Sequence, residues 1–353
     1  MLRRIALVVA TVMLLGGVPA TALATAGGWP GPCAQRRLLI LSAYPAEMGG
    51  IMRATKLDSA EPIRSAPPQD KEFWTGTLEG KRVIEALTGI GPVDATQTTN
   101  AAFTLFKNCI SGVVFSGVAG AGSDHLGPGG TARQSRIGDV TVPDRWSTDG
   151  GKTWSTVDPA LFETAVDVAP TVKLQNTTPV GDRACACVDP GTVPGLTFPY
   201  QPIVLLHGDA STTDPFNGHA APCLQHGGDL AGCEPCPVAL GTSPDPGRFV
   251  YGVEGMADPA FFTGFFSQAV ASNHEFIAYD DETGAVAAVA DAHGVPFIGF
   301  RAISDGSPDP LMLPGYPSQF VVYDQLAADN ETAMALAFVN AYTPHKPHMR
   351  HKP

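Results

Sequence analysis

Short, continuous apolar runs constrain the fold of this chain more than any other feature of its sequence. Residues 38–41 and 112–115 are continuously apolar, and the second run continues into a glycine-rich stretch at 116–122. Such runs are typical of strands buried on both faces of a parallel sheet. Between them lie a glycine turn at 88–92 and an Ala- and Thr-rich segment at 93–106 that predicts a helix. This order of elements predicts an α/β fold with a mainly parallel sheet.

The C-terminal part of the chain shows the same regular pattern. Its apolar spacing predicts helices over residues 258–272, 283–293 and 324–342, and a buried strand over 295–302. The chain is long enough to build one large α/β domain with an insertion, or two modest domains.

The middle segment, residues 148–248, is rich in Pro, Gly, Cys and Asp and has weak periodicity. Only a helix at 159–168 and a strand at 202–206 are predicted within it. A structureless loop of this length is improbable in a compact domain. We therefore interpret it as a disulfide-rich insertion that interrupts one domain spanning residues 37–342. Residues 343–353 are basic and His-rich, which predicts a disordered tail.

The N-terminal residues 1–26 have the layout of a secretory signal peptide. Arg3 and Arg4 precede an apolar run at residues 5–15, and small residues suited to cleavage follow. The run is shorter than the roughly 20 apolar residues of a membrane span, and an uncleaved anchor is the alternative. We expect a secreted protein, extracellular or periplasmic, without stable membrane association. The net charge of −12 argues against nucleic acid as a partner, because binding it needs a basic surface.

Seven cysteines bear on the compartment and on metal binding. In an exported protein they are expected to form disulfide bonds. Cys109 is the expected odd thiol because it lies within predicted core structure, and the pairing of the others stays open. Zinc is the alternative, since Cys233 and Cys236 have CxxC spacing, but the upstream pair is spaced CxC. We therefore expect disulfide bonds and no metal.

Two features follow the predicted strands of the N-terminal half. Glu47 lies just beyond the first apolar run, where ligands bind in open α/β sheets. Its alternative role is that of a first-turn carboxylate that favours the helix dipole. The stretch 116–122 could expose backbone N–H groups to a ligand, or it could form a plain tight turn. It matches neither the Rossmann nor the P-loop spacing.

An acidic cluster and a single aspartate are candidate site residues in the C-terminal half. Asp280, Asp281 and Glu282 stand directly before a predicted helix, and one of them could be its N-cap. Asp305, with Ser304, follows the last predicted strand, and its alternative role is an N-cap or an Asx turn. Several carboxylates in one neighbourhood push their pKa values apart, which separates a general acid from a base.

Together these segments resemble one family, the nucleoside phosphorylases and the methylthioadenosine/S-adenosylhomocysteine nucleosidases. The likeness covers about residues 37–142 and 250–340, and four stretches in the family's order carry it: 39–48, 89–91, 115–121 with 137–140, and 281–287 with 295–305. It implies a three-layer αβα fold with a central mixed, mainly parallel sheet, no cofactor, and a small-molecule nucleoside as partner. The secreted context is similar to that of plant bark storage proteins, which share this fold, and the family allows a homo-oligomer.

The resemblance also implies roles for individual residues. Asp305 would be the general acid that protonates N7 of a purine, held by Ser304, and Glu47 would activate the attacking water. Glu282 would hold the ribose hydroxyls, and Asp281 beside it stands where the family commonly has a methionine against the sugar. The backbone of three residues would line the base and ribose site: Val118, Ala119 and Gly120.

Three functions are compatible with this resemblance. Phosphorolysis needs cationic side chains around the phosphate, and Phe115 stands where the hexameric bacterial phosphorylases that resemble this chain carry an arginine. Water is therefore the favoured nucleophile. The predicted function is that of a secreted nucleosidase, which hydrolyses the N-glycosidic bond of a purine nucleoside or thio-nucleoside. A phosphate-dependent nucleoside phosphorylase and a non-catalytic nucleoside-binding or storage protein are the alternatives.

Overall fold

The computed structural model describes residues 35–124, 132–179, 195–221, 232, 234–235 and 274–344. The strands of this part are β1 Arg37–Ser42, β2 Lys56–Leu57, β3 Ile63–Arg64, β4 Glu72–Leu78, β5 Lys81–Leu87, β6 Ile110–Ala121, β7 Ser123–Asp124, β8 Arg133–Gln134, β9 Val140–Val142, β10 Arg145–Ser147, β11 Ser155–Thr156, β12 Thr177–Pro179, β13 Gly195–Thr197, β14 Val204–Leu206, β15 Asp209–Thr212, β16 Ala278–Asp280 and β17 Phe297–Asp305. The α-helices are α1 Pro45–Ala54, α2 Pro92–Phe106, α3 Pro159–Val168, α4 Thr283–Ala292 and α5 Ser318–Ala341.

Four strands at the centre of the main sheet run parallel. β1 pairs with β5 on one side and with β6 on the other, and β6 pairs in turn with β17. Antiparallel pairs flank this centre. β4 pairs with β5, β16 pairs with the end of β6, and β9 pairs with β17. The predicted α/β fold with a mixed, mainly parallel sheet is confirmed.

Helices cover the central strands, which explains their continuous apolar sequence. α1 packs against α5, α2 packs against α4, and α5 also lies on β17 and β6. All six residues of β1 are buried. The predicted closing helix starts six residues earlier than its apolar spacing indicates, at Ser318. Among the described residues no helix is both long enough and apolar enough to cross a membrane.

The glycine-rich stretch after residue 115 continues the strand. β6 runs unbroken to Ala121 and stays paired with β17 as far as Gly120. The expectation of a loop or tight turn at this place is therefore wrong. A Cβ atom at Gly117 would lie 2.4 Å from Glu47 Oε1. Glycine is needed here because a side chain approaches the backbone of a strand closely.

Part of the predicted insertion at 148–248 belongs to the main sheet. β15 pairs with β10 and β16, and β14 pairs with β9. α3 and β14 lie where the sequence predicts a helix and a strand. The proposed signal peptide, the helix predicted at 258–272 and the zinc candidates Cys233 and Cys236 all lie outside the described residues.

Cys109 is disulfide-bonded, so its expected role as the odd thiol is wrong. Its side chain is buried, but it directly precedes Ile110, which pairs with Arg37 at the start of β1. This is the amino-terminal end of the central strands, where the chain enters the sheet. Another part of the chain can reach the thiol there, whereas it could not in the interior of the core. The partner cysteine lies outside the described residues.

Candidate functional site

A small cleft opens at the carboxyl ends of β1, β6 and β17. This position is the usual one for ligand binding in open α/β sheets. Its lining includes all eight residues that the sequence singles out: Glu47, Val118, Ala119, Gly120, Asp281, Glu282, Ser304 and Asp305. No group of three or more His, Cys, Asp or Glu residues in the described ranges is arranged to hold a metal ion.

Glu47 reaches from the first turn of α1 to the edge of β6. Its Oε2 accepts a hydrogen bond from Ala43 N at 2.6 Å, just before the start of α1, which is a local contact compatible with the first-turn role. Its Oε1 accepts a second bond from Val118 N at 2.7 Å, which that role does not require. Burial raises the pKa of Glu47 to about 8, against the opposing effect of Arg301 and the two amides. Glu47 therefore combines a local contact at the helix start with a long-range contact at the cleft.

Arg301, a residue that the sequence analysis did not single out, connects the acids of the cleft. Its Nη1 lies 3.2 Å from Glu47 Oε1, its Nη2 2.8 Å from Glu282 Oε2, and its Nε 2.8 Å from Asp280 Oδ2. Burial alone would lower the pKa of Arg301, but the three carboxylates raise it above its ordinary value. The sequence did contain a sign of this role, because an arginine inside a predicted buried strand requires acidic partners.

Glu282 is held from two sides. Gly91 N donates to its Oε1 at 2.8 Å and Arg301 Nη2 donates to its Oε2. Gly91 has a φ of +95°, which points its amide at the acid and which other residues rarely adopt. Burial raises the pKa of Glu282, while Arg301 opposes this. The first glycine turn therefore positions an acid that is 191 residues away in the sequence.

The two aspartates before Glu282 differ in their surroundings. Asp280 is buried and bound to Arg301 and to the hydroxyls of Thr212 and Thr283. Asp281 lines the cleft, and its Oδ1 accepts from Thr213 Oγ1 at 2.5 Å. Burial, and next the charge of Glu282, hold the pKa of Asp281 well above its ordinary value. Asp280 thus supports Arg301, and Asp281 presents a carboxyl group to the cleft.

Asp305 is the last residue of β17 and lines the cleft. Ser304 Oγ donates to its Oδ2 at 2.9 Å, and its Oδ1 lies 3.0 Å from a Cβ position at Gly120. Burial raises the pKa of Asp305 to about 6, although the serine bond opposes the shift. The turn role has no support among the described residues, because the Asp305 carboxylate accepts from Ser304 Oγ and not from the amide of Ser307, which an Asx turn would use.

Aromatic side chains that the sequence analysis missed form much of the remaining wall. They are Tyr44, Phe216, Tyr279, Tyr316 and Phe320. Tyr44 donates to Asp324 Oδ1 at 2.5 Å and meets Phe320 edge-on, with ring centroids 6.1 Å apart. Phe216 belongs to the predicted insertion, whose weak periodicity gave no sign of a contact with the cleft.

Comparisons with known proteins agree with this architecture. A family model described as the phosphorylase superfamily matches residues 37–186. The uncharacterized protein Rv2293c of Mycobacterium tuberculosis is 37% identical over 229 residues, which cover 61% of this chain and 87% of that protein.

Solved structures with the same fold are more distant in sequence. One is the crystal structure of a protein assigned as a 5'-methylthioadenosine/S-adenosylhomocysteine nucleosidase from Borrelia burgdorferi, bound to adenine. It is 17% identical with a TM-score of 0.51, and the match covers 86% of this chain and 98% of that one. The corresponding nucleosidase of Neisseria meningitidis is 19% identical with a TM-score of 0.49, over 87% of this chain and 100% of the other.

Proposed function

Since this chain belongs to the phosphorylase superfamily, we propose that it is a nucleosidase, an enzyme that hydrolyses the N-glycosidic bond of a nucleoside. One observation carries the proposal. A single cleft is lined by Asp305, whose pKa burial raises to about 6, and by Glu47 and Glu282, which share one buried arginine. Pairs of acids in such unequal surroundings are typical of sites that need both an acid and a base.

The reaction distributes charge in a way that suits these positions. As the bond between C1′ of the sugar and the base nitrogen breaks, positive charge develops on the sugar and negative charge on the base. Asp305 donates its proton to the leaving base. A water molecule forms the new bond to C1′ and passes its proton to Glu47, while Glu282 holds the sugar hydroxyls. General acid catalysis of this kind contributes roughly 10²–10⁴-fold to the rate.

The electrostatics of the cleft favour water over phosphate as the nucleophile. Arg301 is the one Arg or Lys among the described residues that line the cleft, and it is bound to three carboxylates. Phe115 lies beneath its guanidinium, with the ring centroid 4.3 Å from Cζ, so this position supplies no second cation. A phosphate ion would meet carboxylates without a cationic partner, which is unfavourable.

We further propose a purine nucleoside or thio-nucleoside as the substrate. The aromatic walls offer flat apolar surfaces for a base or an apolar substituent, and carboxyl groups offer hydrogen-bond partners. The Borrelia protein, which shares the fold, is bound to adenine in its crystal structure. This supports a purine as the leaving group.

The test is release of free base from inosine, adenosine and methylthioadenosine by the purified chain, with and without phosphate, followed by liquid chromatography. We expect release that does not depend on phosphate, and a loss of about 10²-fold or more in Asp305→Asn. The exposed Asp291→Asn serves as the matched control and should keep native activity. Strict phosphate dependence would indicate a phosphorylase. Nucleoside binding without turnover would indicate a binding or storage protein.

We also propose that the chain is exported and that residues 1–26 are removed as a signal peptide. The disulfide bond of Cys109 supports this, because such bonds persist mainly in oxidising compartments. N-terminal sequencing of the protein from cell fractions of a producing bacterium tests it. A cytoplasmic protein that retains its first residues would contradict the proposal.

A further inference from the structure

A fully buried acid that the proposed reaction does not use lies behind Glu47. Glu331 is on α5, and its Oε2 accepts a hydrogen bond from the hydroxyl of Ser116 on β6. Its Oε1 has no hydrogen-bond partner among the described residues. A buried carboxylate with a single donor is strongly disfavoured, whereas a neutral carboxyl group is tolerated. Glu331 is therefore a neutral acid in the folded protein.

The charges around Glu331 point the same way. Burial holds the pKa of Glu331 well above its ordinary value, and the charge of Glu47 on α1 raises it further. Asp329 on its own helix acts in the same direction, and Arg301 on β17 opposes both. With Glu47 ionised, a second ionised carboxyl group in this place would be repelled, so the proton stays on Glu331.

The hydrogen bond to Ser116 anchors the strand at a critical place. Two residues further along β6, Val118 N donates to Glu47 Oε1 at 2.7 Å and Val118 O accepts from Arg301 Nη1 at 2.7 Å. A Cβ atom at Gly117 would lie 2.4 Å from Glu47 Oε1 and 2.5 Å from Arg301 Nη1. The backbone of β6 therefore lies in close contact with both Glu47 and Arg301, and a small shift of the strand would alter both contacts.

We propose that Glu331 is a positioning residue for Glu47 and Arg301, which acts in its neutral form by fixing β6 to α5 through Ser116. This inference rests on the proposed function only in its predicted effect on kcat. The structural consequence is that loss of the anchor weakens the bond from Val118 N to Glu47. Because that amide favours the ionised form of Glu47, its weakening should raise the pKa of Glu47.

The chain contains a matched control for this acid. Glu85 on β5 is also fully buried, also accepts one hydroxyl hydrogen bond, from Thr55, and also has one oxygen without a partner among the described residues. Glu85 does not line the cleft. A substitution at Glu85 therefore reproduces the loss of a buried acid and leaves the hydrogen bond between Ser116 and Glu331 in place.

The kinetic test compares Glu331→Met, Glu331→Gln, Ser116→Ala and Glu85→Met after circular dichroism shows that each is folded. Glu331→Met and Ser116→Ala should lower kcat about tenfold or more, because small displacements of catalytic groups cost at least this much. KM should change less than about threefold, since the substrate contacts remain. Glu331→Gln keeps a neutral partner for Ser116 and should stay within about threefold of native. Glu85→Met should match native kcat.

A double variant and a titration complete the test. Ser116→Ala combined with Glu331→Met should be no slower than the slower single variant, because both remove the same anchor. In ¹³C NMR spectra the Glu47 carboxyl should titrate at higher pH in Glu331→Met and in Ser116→Ala, but not in Glu85→Met. Native kcat in Glu331→Met, or an equal loss in Glu85→Met, would overturn the inference. If the native chain hydrolyses no nucleoside, the proposed function fails, and the titration still decides this inference.

Discussion

The pH dependence of turnover tests the assignment of acid and base most directly. In the proposed reaction the productive form carries a proton on Asp305 and none on Glu47. Burial raises the pKa of Asp305 to about 6 and that of Glu47 to about 8. At pH 7 about one Asp305 in ten is protonated and about one Glu47 in ten is ionised, so about 1% of the molecules are productive. The acid, Asp305, thus has a lower pKa than the base, Glu47, and this order defines the shape of the pH profile.

The sign of each limb follows from the two pKa values. Below pH 6 nearly every Asp305 is protonated, and kcat/KM rises about tenfold per pH unit as Glu47 loses its proton. Between pH 6 and pH 8 the two populations change in opposite directions, and kcat/KM stays level. Above pH 8 Glu47 is ionised throughout, and kcat/KM falls about tenfold per unit as the remaining protonated Asp305 disappears.

Asp305→Asn should change this profile in a specific way. Asparagine does not titrate, so the fall above pH 8 should vanish and the break on the acidic side should move from about 6 to about 8. The assay is initial base release at low substrate over about six pH units, with Asp291→Asn as control. An alkaline limb that persists in Asp305→Asn would refute the role of Asp305 as the acid. A native profile without a fall above pH 8 would refute the need for its proton.

The remaining predictions concern stability and the geometry around the arginine. Burial raises the pKa of Glu85 from 4.5 to about 7, so its carboxyl destabilises the folded state increasingly as pH rises through this interval. Glu85→Gln should therefore raise the free energy of unfolding by up to about 3 kcal/mol at pH 8 and hardly change it at pH 4, measured by urea denaturation. Arg301→Lys should lower kcat about 100-fold or more, because one ammonium group cannot bind three separated carboxylates; rapid-quench kinetics check it. Gly117→Ala should reduce kcat while the protein stays folded, since the added methyl would lie 2.4 Å from Glu47 Oε1; a native kcat would contradict the close packing.

Local sequence patterns were sufficient for the central fold. The apolar run at residues 38–41 predicts β1 because a strand covered on both faces must be apolar throughout. Residues 93–106 predict α2 to within one residue, because Pro92 opens the helix and the spacing of small apolar residues continues to its end. The continuation of β6 through residues 116–121 could not be read locally. It depends on pairing with β17, which is supplied by a segment far away in the sequence.

The site residues were predictable as a set, but their connections were not. Each of the three acids follows or precedes a predicted element, so the topology alone places Glu47, Glu282 and Asp305 near the carboxyl ends of the central strands. Arg301 escaped attention because a single charge within an apolar run looks like an exception to the strand pattern. Its three acid partners come from α1, from β16 and from the start of α4, and no local pattern states that these meet.

The contacts of the insertion change the interpretation of Asp281. By sequence this residue was a departure from the family, since a polar group stands where an apolar one is common. In the structure Thr213 donates to its Oδ1, and the preceding Thr212 donates to Asp280 and also accepts from Gly284 N at 2.8 Å. Both threonines lie within the predicted insertion, shortly before Phe216, which lines the cleft. Because the polar residue and its partner occur together, Asp281 is a satisfied part of this cleft, and residues 212–216 contribute to the site.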